Sequence, residues 1–168
     1  MAQIPVGRER FALVDDEDAP FLSKHKWYEK ESRHPRGTFY AQASIKGRTV
    51  YMHRLILGAA KGQIVDHINR NKLDNRRCNL RFCTPVENAW NAAHPLGASG
   101  FRGVAREKRT RNSWTARLEH KGRVVYIGSY RSAEEAARAR DVVARQLFGG
   151  FAVLNFPEAH KPQPVEAA

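Results

Sequence analysis

Three side chains between residues 66 and 88 have the types needed to hydrolyse a phosphodiester bond. Asp66 and His67 are adjacent, and Asn88 follows further along the chain. A neutral imidazole, with a pKa of about 6.5, can accept a proton from water at neutral pH. Carboxylate and amide oxygens are hard ligands for a divalent cation, which can neutralise charge on a phosphate and on a leaving oxygen. The set therefore predicts metal-assisted cleavage of a nucleic-acid backbone.

The sequence around these residues predicts two strands that flank a loop. Residues 63–68 and 80–83 are short apolar runs typical of strands. Residues 69–79 are polar and rich in Asn and Arg, which is typical of a long loop. The first strand would carry Asp66 and His67 on adjacent positions.

A helix is predicted after the second strand. Thr84 can cap it, Pro85 suits its first position and Glu87 can close a capping box, and the pattern continues to about Ala93. Asn88 then lies in the first turn, from which it can face the strand that carries the Asp-His pair.

The regions on either side contain further short elements. Before the Asp-His pair, strands are predicted at 11–14, 38–45 and 49–51, and a short helix at 53–60. After a Pro- and Gly-containing linker at 94–100, strands are predicted at 103–105, 114–119 and 124–127, followed by a helix that starts at the capping box Ser132–Glu135 and ends at Gly149. Lys46-Gly47 and Lys121-Gly122 each predict a tight hairpin turn.

The net charge predicts a polyanionic partner. The chain of 168 residues has a formal charge of +12, and its pI is about 10.2. Residues 99–157 carry 12 basic and 5 acidic side chains, so the positive charge is concentrated toward the C-terminal half. Such an excess attracts nucleic acid or an anionic membrane surface. No apolar run is long enough to span a bilayer, and the N-terminus lacks a signal-peptide core, so we expect a cytoplasmic protein.

The two cysteines, Cys78 and Cys83, are too few for a disulfide framework. Their spacing can supply half of a zinc site, but a second cysteine pair is missing, so packed thiols are the favoured interpretation.

The segment from His53 to Ala92 resembles the HNH endonucleases of the ββα-metal fold, most closely their phage and intron-encoded homing branch. The matching residues are Met52-His53-Arg54, Val65-Asp66-His67-Ile68, Asn75, Asn79-Leu80-Arg81 and Thr84-Pro85-x-Glu87-Asn88. The resemblance implies that His67 is the general base, that Asp66 and Asn88 bind a divalent metal, Mg²⁺ or alternatively Mn²⁺, and that Asn79 braces the loop. It also implies products with a 5′-phosphate and a 3′-hydroxyl, and the cytoplasm of a bacterial or phage-infected cell as the location.

Two nearby side chains have supporting roles in this prediction. His53 is expected to tie the preceding element to the core, with a catalytic role as the alternative. Arg81 is beside the active strand and is the best placed of the neighbouring arginines to contact a phosphate.

Residues 100–157 resemble the plant APETALA2/ethylene-response-factor DNA-binding domain. The resemblance is carried by Phe101-Arg102-Gly103-Val104, Trp114-Thr115-Ala116-Arg117-Leu118, Tyr126-Ile127-Gly128-Ser129-Tyr130, Ala133-Glu134-Glu135-Ala136-Ala137, Asp141 and Asn155-Phe156-Pro157. It implies a three-stranded sheet that enters the major groove with one helix packed behind it. Ala105 stands where the family usually has Arg, and Arg117 where it usually has Glu, so the plant target sequences do not transfer.

Arginine and aromatic side chains on such a sheet can contact bases and phosphates, because a narrow ribbon fits the major groove and Arg can pair with guanine. Successive strand residues face opposite sides of the sheet. The predicted contacts are Arg102, Arg106, Trp114, Arg117, Arg123 and Tyr126, with Lys108, Arg109 and Arg111 in a turn that holds phosphates.

These observations predict an α+β fold with four regions: an N-terminal β-rich region at 1–50, a ββα-metal HNH nuclease core at 51–95, a three-stranded antiparallel sheet packed on one helix at 99–157, and a flexible tail at 158–168. The predicted function is a metal-dependent endonuclease acting on double-stranded DNA, targeted by its C-terminal domain. No protein partner or membrane is implied, and monomer and dimer both stay open.

Two other functions are weighed against this one. A sequence-specific DNA-binding regulator with a vestigial, inactive nuclease also needs phosphate contacts, and the intact Asp66, His67 and Asn88 set favours the enzyme over it. An RNA-binding or membrane-surface protein is disfavoured, because a basic amphipathic helix and an RNA-recognition signature are missing from the sequence.

Overall fold

The computed structural model describes residues 1–32, 37–92, 96–107 and 113–157, which form two compact units, Met1–Ala89 and Trp90–Ala168. The fold is α+β with several small antiparallel sheets, as the sequence predicts. The domain boundaries stay a prediction, and the tail at 158–168 lies outside the described residues. None of the helices in the described part of the chain has the length and apolar character needed to cross a membrane.

The first unit begins with a hairpin and a three-stranded sheet. Strands β1 (Ala2–Pro5) and β2 (Phe11–Val14) pair antiparallel, and the short helix α1 (Ala19–Leu22) follows. Strands β3 (Tyr28–Glu31), β4 (Phe39–Ile45) and β5 (Arg48–Tyr51) form the second sheet with β4 in the centre. The β4–β5 turn is the predicted Lys46-Gly47 pair, and both residues have positive φ, as a type I′ turn requires.

The rest of the first unit has the predicted strand–loop–strand–helix order. Helix α2 (Met52–Ile56) is followed by strand β6 (Ile64–His67), a 3-10 turn at Arg77–Asn79, strand β7 (Leu80–Cys83) and helix α3 (Pro85–Trp90). Strands β6 and β7 pair antiparallel, with Asp66 opposite Arg81. The predicted capping box is present, because Thr84 Oγ1 accepts from Glu87 N–H and Glu87 Oε2 accepts from Thr84 N–H.

A single apolar core runs through this unit. It joins the N-terminal strands to the strands around the Asp-His pair, and its buried members are Ile4, Val6, Ala12, Val14, Leu22, Trp27, Ala41, Ala43, Met52, Ile56, Val65 and Leu80. Because both parts of the sequence bury their apolar faces in the same core, the N-terminal strands are part of the scaffold that positions β6.

Backbone hydrogen bonds also connect the N-terminal hairpin to the loop between β6 and β7. Leu13 N–H donates to Leu73 O at 2.8 Å, and Asn75 N–H donates to Leu13 O at 2.8 Å. Further along the loop, Arg77 donates through Nε and Nη2 to the buried Asp18 carboxylate at 2.9 and 2.7 Å. The loop between β6 and β7 therefore covers the open edge of β2, and β2 in turn holds this loop in place.

The second unit is a three-stranded sheet backed by one helix. Strands β8 (Val104–Arg106), β9 (Trp114–His120) and β10 (Arg123–Tyr130) form an antiparallel sheet with β9 in the centre. Helix α4 (Ala133–Phe148) opens with the predicted capping box of Ser132 and Glu135, which contributes about 1 kcal/mol. Its small residues Ala136, Ala137 and Ala144 are fully buried and pack against the inner face of the sheet.

A buried polar cluster anchors the segment that follows α4. The Asp141 carboxylate accepts from Asn155 N–H at 2.6 Å, from Phe156 N–H at 2.9 Å and from Arg140 Nη1 at 3.0 Å. Arg140 and Asp141 are both buried. The Asn155 side chain links this carboxylate to the segment before β8, because its Nδ2 donates to Asp141 Oδ1 at 3.1 Å and its Oδ1 accepts from Arg102 N–H at 2.6 Å.

Candidate active site and nucleic-acid interface

Strand β6 places Asp66 and His67 inside the first unit, where they are 1% and 0% exposed. The backbone on both sides is fixed, because β6 pairs with β7 and Ile68 N–H donates to Asn79 O at 2.9 Å. The two predicted chemical groups are therefore held on a rigid strand rather than on a loop.

Two cationic side chains neutralise the buried carboxylate of Asp66. Arg81, directly opposite on β7, donates from Nε and Nη2 to Asp66 Oδ2 at 3.1 and 2.9 Å. Lys72, in the loop, places Nζ 3.7 Å from Asp66 Oδ1. Burial lowers the pKa of Lys72, and the charge of Asp66 opposes that shift. A buried carboxylate of this kind is stable only with such compensation.

The His67 ring is held by a side-chain hydrogen bond. Its Nε2 lies 3.2 Å from Asn75 Oδ1. Burial, followed by the positive charge of Lys72, lowers the pKa of His67 from 6.5 to about 4, although Asn75 and Asp66 oppose the shift. The ring is therefore neutral at pH 7, which is the state in which an imidazole can accept a proton.

His53 lies at the centre of an aromatic cluster next to His67. The two ring centroids are 5.0 Å apart, and Tyr51 and Tyr40 have their ring centroids 5.7 and 5.8 Å from that of His53. Burial, followed by the proximity of His67, lowers the pKa of His53 to about 3. This arrangement is compatible with the expected packing role of His53, because its neutral ring stacks on Tyr51 and meets His67 edge-on.

Asn79 connects the two ends of the loop. Its Nδ2 donates to Asp74 O at 2.7 Å, and its Oδ1 accepts from Asn69 N–H at 2.9 Å. The Asp74 carboxylate is itself held by Arg76 and Asn69, and the hydrogen bonds from Arg76 lower the pKa of Asp74. The contacts of Asn79 are those that a bracing role needs.

Asn88 lies on α3 with an exposed side chain. Its amide oxygen and the Asp66 carboxylate are both hard oxygen donors, which Mg²⁺ and Mn²⁺ prefer, and a catalytic Mg²⁺ usually takes its other ligands from water and substrate phosphate. The donor set thus fits such an ion. Within residues 1–32, 37–92, 96–107 and 113–157, no group of three or more His, Cys, Asp or Glu side chains could hold a metal, and Cys78 and Cys83 are free thiols.

The second unit presents an exposed sheet face opposite α4. Arg117 on β9 is paired in register with Tyr126 on β10, and Glu119 is paired with Val124. Tyr126 is 63% exposed and Val124 69% exposed. Leu118, the residue between the two β9 positions, is buried against α4, so the exposed set occupies the outer face. This outer face is defined by Arg117, Glu119, Val124 and Tyr126.

The other predicted contacts of this unit are placed differently. Trp114 packs with the cluster that faces α4, while the Arg106 guanidinium lies 5.3 Å from the centroid of its ring. Arg102 Nη1 donates to Ala92 O at 2.8 Å. Arg123 is exposed at the start of β10. The remaining predicted phosphate contacts, Lys108, Arg109 and Arg111, lie outside the described residues.

Sequence reasoning missed Lys72, whose position beside Asp66 depends on the path of the loop. Asn75 is part of the HNH resemblance, and its side chain reaches His67 in the structure. No local periodicity marks either residue, since both lie in an irregular segment.

Strand β6, the loop, strand β7 and helix α3 follow one another in the order of a ββα nuclease unit. The first of these strands carries the buried Asp66-His67 pair. The sequence profile described as HNH endonuclease matches residues 50–90. The chain is 33% identical over 150 residues to an uncharacterized HNH endonuclease of Acanthamoeba polyphaga mimivirus, and the alignment covers 89% of this chain and 76% of the relative.

The C-terminal part is similar to plant transcription factors. Two AP2-like ethylene-responsive transcription factors of Arabidopsis thaliana are 39% identical over 74 residues and 41% identical over 69 residues. These alignments cover 39% and 36% of this chain but only 21% and 23% of the relatives, so the chain spans less than a quarter of each plant protein.

The chain belongs to the HNH endonuclease family. It is a nuclease, and the similarity of its C-terminal unit to the plant factors supports DNA as its partner.

Proposed function

We propose that the chain is a divalent-metal-dependent DNA endonuclease in which His67 is the general base and Asp66 and Asn88 hold the metal. The observation that carries this proposal is the placement of Asp66 next to a neutral His67 on one rigid strand. A bound Mg²⁺ or Mn²⁺ would supply charge neutralisation at the phosphate and the leaving oxygen.

The side chains on and around this strand have separate roles in the proposed reaction. His67 accepts the proton of the attacking water. Arg81 and Lys72 keep positive charge next to Asp66. Without them, the negative phosphate of the substrate would approach a carboxylate whose charge is not balanced. Fixed charges of this kind stabilise a developing negative charge without reorganisation.

Metal dependence is tested by titrating Mg²⁺ against cleavage of plasmid DNA by the full chain. We expect EDTA to abolish cleavage. We expect Asn88→Ala to raise the Mg²⁺ concentration for half-maximal cleavage at least about tenfold, because it removes an oxygen ligand while changes even to supporting groups of a metal site cost about 10–100-fold in affinity. Val86→Ala, also exposed on α3, is the matched control. Superimposable Mg²⁺ profiles for wild type and Asn88→Ala would exclude Asn88 as a ligand.

We further propose that the second unit directs the nuclease to its target DNA through the outer face and the adjacent Arg123. The paired Arg117 and Tyr126 combine a cation with an exposed aromatic ring on a ribbon that can enter a major groove. Arg106 is exposed on β8, but it pairs in register with Trp114 and so lies on the opposite side of the sheet from Arg117; it is not part of the outer face.

The salt dependence of DNA binding tests this surface. We expect Arg117→Ala and Arg123→Ala to weaken binding and Tyr126→Ala to reduce affinity through the loss of stacking or apolar contact. An arginine that contacts a phosphate should also reduce the slope of log K against log [salt] by about 0.9. Arg138→Ala removes the same charge from the exposed side of α4 and is the control. Equal effects of the Arg117 and Arg138 variants would argue against the outer face.

The alternative of a DNA-binding regulator with an inactive nuclease is favoured by one observation. Arg81 and Lys72 already satisfy the Asp66 carboxylate, so a metal must compete with two cations for it. Tight DNA binding without cleavage in either Mg²⁺ or Mn²⁺ would support the regulator.

A further inference from the structure

We propose that Asn75 is a positioning residue that fixes the tautomer and the orientation of His67, so that its Nδ1 accepts the proton from water. This inference rests on the proposed role of His67 as the general base. It assigns a function to a loop residue that does not itself touch the reacting atoms.

The chemistry of the contact sets the direction of the hydrogen bond. A carbonyl oxygen can only accept, so the His67 Nε2 that lies 3.2 Å from Asn75 Oδ1 carries the hydrogen. A neutral imidazole has one N–H group, and the other ring nitrogen is then a lone-pair acceptor. With Nε2 protonated, Nδ1 is the basic atom. The same logic governs other histidines whose second nitrogen is held by an acceptor.

The Asn75 backbone is fixed, so its side chain cannot easily leave the ring. Asn75 N–H donates to Leu13 O at 2.8 Å, and the preceding Asp74 forms a bridge with Leu13. Asp74 is buried and holds Arg76 at 2.8 and 2.7 Å, which fixes the chain on the other side of Asn75. The amide is therefore presented to His67 by the hairpin and by the loop together.

The burial of Asn75 is difficult to explain by packing. The residue is 1% exposed, and its Nδ2 has no hydrogen-bond partner among the described residues. Burying an amide donor without a partner is unfavourable, whereas a leucine of similar size could fill the same space without that cost. The hydrogen bond between Asn75 Oδ1 and His67 is the side-chain contact that accounts for a polar residue here.

The first test reads the tautomer of His67 directly in the wild-type protein. The full chain is labelled with ¹⁵N, and the His67 ring signals are assigned by their loss in His67→Gln. We expect long-range ¹H–¹⁵N correlations at neutral pH to show a protonated Nε2 and an unprotonated Nδ1. A ring protonated at Nδ1, or at both nitrogens, would overturn the proposal.

The second test separates positioning from stability by kinetics. Asn75→Leu removes the acceptor, and we expect kcat for DNA cleavage to fall about 10–100-fold, as for other groups that orient a functional histidine, with KM and DNA affinity unchanged. Asn75→Asp keeps an acceptor in the same position, and we expect it to restore most of kcat. Cys78→Ala, an exposed change in the same loop, is the control and should leave kcat unchanged.

A double-mutant cycle decides whether Asn75 acts through His67. In a His67→Ala background we expect Asn75→Leu to lower the residual rate by less than about threefold, because residues that act as a unit are not additive. An equal loss in both backgrounds would overturn the positioning role and indicate a general structural effect. If Asn75→Leu does not fold, the tautomer measurement and the Asn75→Asp rate decide.

The failure of this proposal can be distinguished from that of the proposed function. Cleavage that is absent in wild type, or undiminished in His67→Ala, overturns the general base and the positioning role together. Normal dependence on His67, combined with full kcat in Asn75→Leu, overturns the positioning role alone.

Discussion

Replacing His67 by Ala is expected to lower the single-turnover rate of DNA cleavage by about 10²–10⁴-fold, the usual contribution of a general base. The ring is neutral, because burial and Lys72 lower its pKa to about 4, and it lies beside the Asp66 carboxylate in the sequence and on the same strand. Removing it eliminates the proton acceptor and leaves the cations around Asp66 in place. The dissociation constant for DNA should stay within about twofold, since the buried ring is 0% exposed and the major phosphate contacts are expected elsewhere.

The control for this prediction is His25→Ala. His25 is half-buried and packs edge-on against Trp27 with ring centroids 6.4 Å apart, away from β6 and β7 in the sequence. His67→Gln provides a second variant that keeps more of the side-chain volume in the core. Rates of cleavage, thermal unfolding and DNA binding are measured on all variants. A His67→Gln protein that is folded, binds DNA and cleaves at the wild-type rate would contradict the assignment.

Asp141→Ala is expected to destabilise the second unit by about 3–5 kcal/mol, the cost of removing one partner of a buried ion pair. The substitution leaves Arg140 buried without its carboxylate and removes the acceptor for Asn155 N–H and Phe156 N–H. The segment that closes the unit then loses its anchor, and DNA affinity should fall with the folded fraction. Hydrogen exchange of the α4 amides in increasing urea measures the free energy of opening for this unit.

Glu134→Ala is the matched control for Asp141→Ala. It removes one carboxylate from the same helix, but Glu134 is exposed and pairs with Arg138 one turn away, so the expected cost is about 0.3–0.5 kcal/mol. Asp141→Asn should fall between the two, because an amide oxygen in the place of Oδ2 can still accept from Asn155 N–H and Phe156 N–H, while the negative charge beside Arg140 is lost. A loss below about 1 kcal/mol for Asp141→Ala would show that the cluster is not the anchor.

The elements that could be predicted from sequence are those with local signals. Strands 11–14 and 80–83 coincide with β2 and β7, and the capping boxes at Thr84 and Ser132 open α3 and α4 as predicted. The Lys121-Gly122 pair forms the β9–β10 turn with positive φ at both residues. Turn and capping chemistry depends on residues a few positions apart, so a single sequence contains it.

Some boundaries differ for identifiable reasons. The helix predicted at 53–60 ends at Ile56, and Gly58 adopts a positive φ of 60° shortly after it, which is a common way to end a helix. Strand β10 extends to Tyr130 rather than to residue 127, because an irregularity between Tyr126 and Gly128 lets pairing with β9 continue beyond it.

The features that sequence could not predict depend on contacts between distant residues. Strands β1 and β3 and helix α1 have only 4 residues each and carry weak patterns, and their formation depends on the shared core. The position of Lys72 beside Asp66, and that of Asn75 beside His67, follows from the path of a loop that β2 holds through Leu13. A local pattern contains no information about such long-range pairing.

The pairing of Leu13 with the 73–75 segment has a consequence for biosynthesis. The hairpin β1–β2 is synthesised well before Asn75. The backbone groups of Leu13 therefore lack their hydrogen-bond partners until the 73–75 segment has been made. An unpaired strand edge is a surface at which chains can associate with one another, and in the folded unit the 73–75 segment covers this edge of β2. The strand that carries Asp66 and His67 therefore gains this support only when nearly the whole first unit has been made.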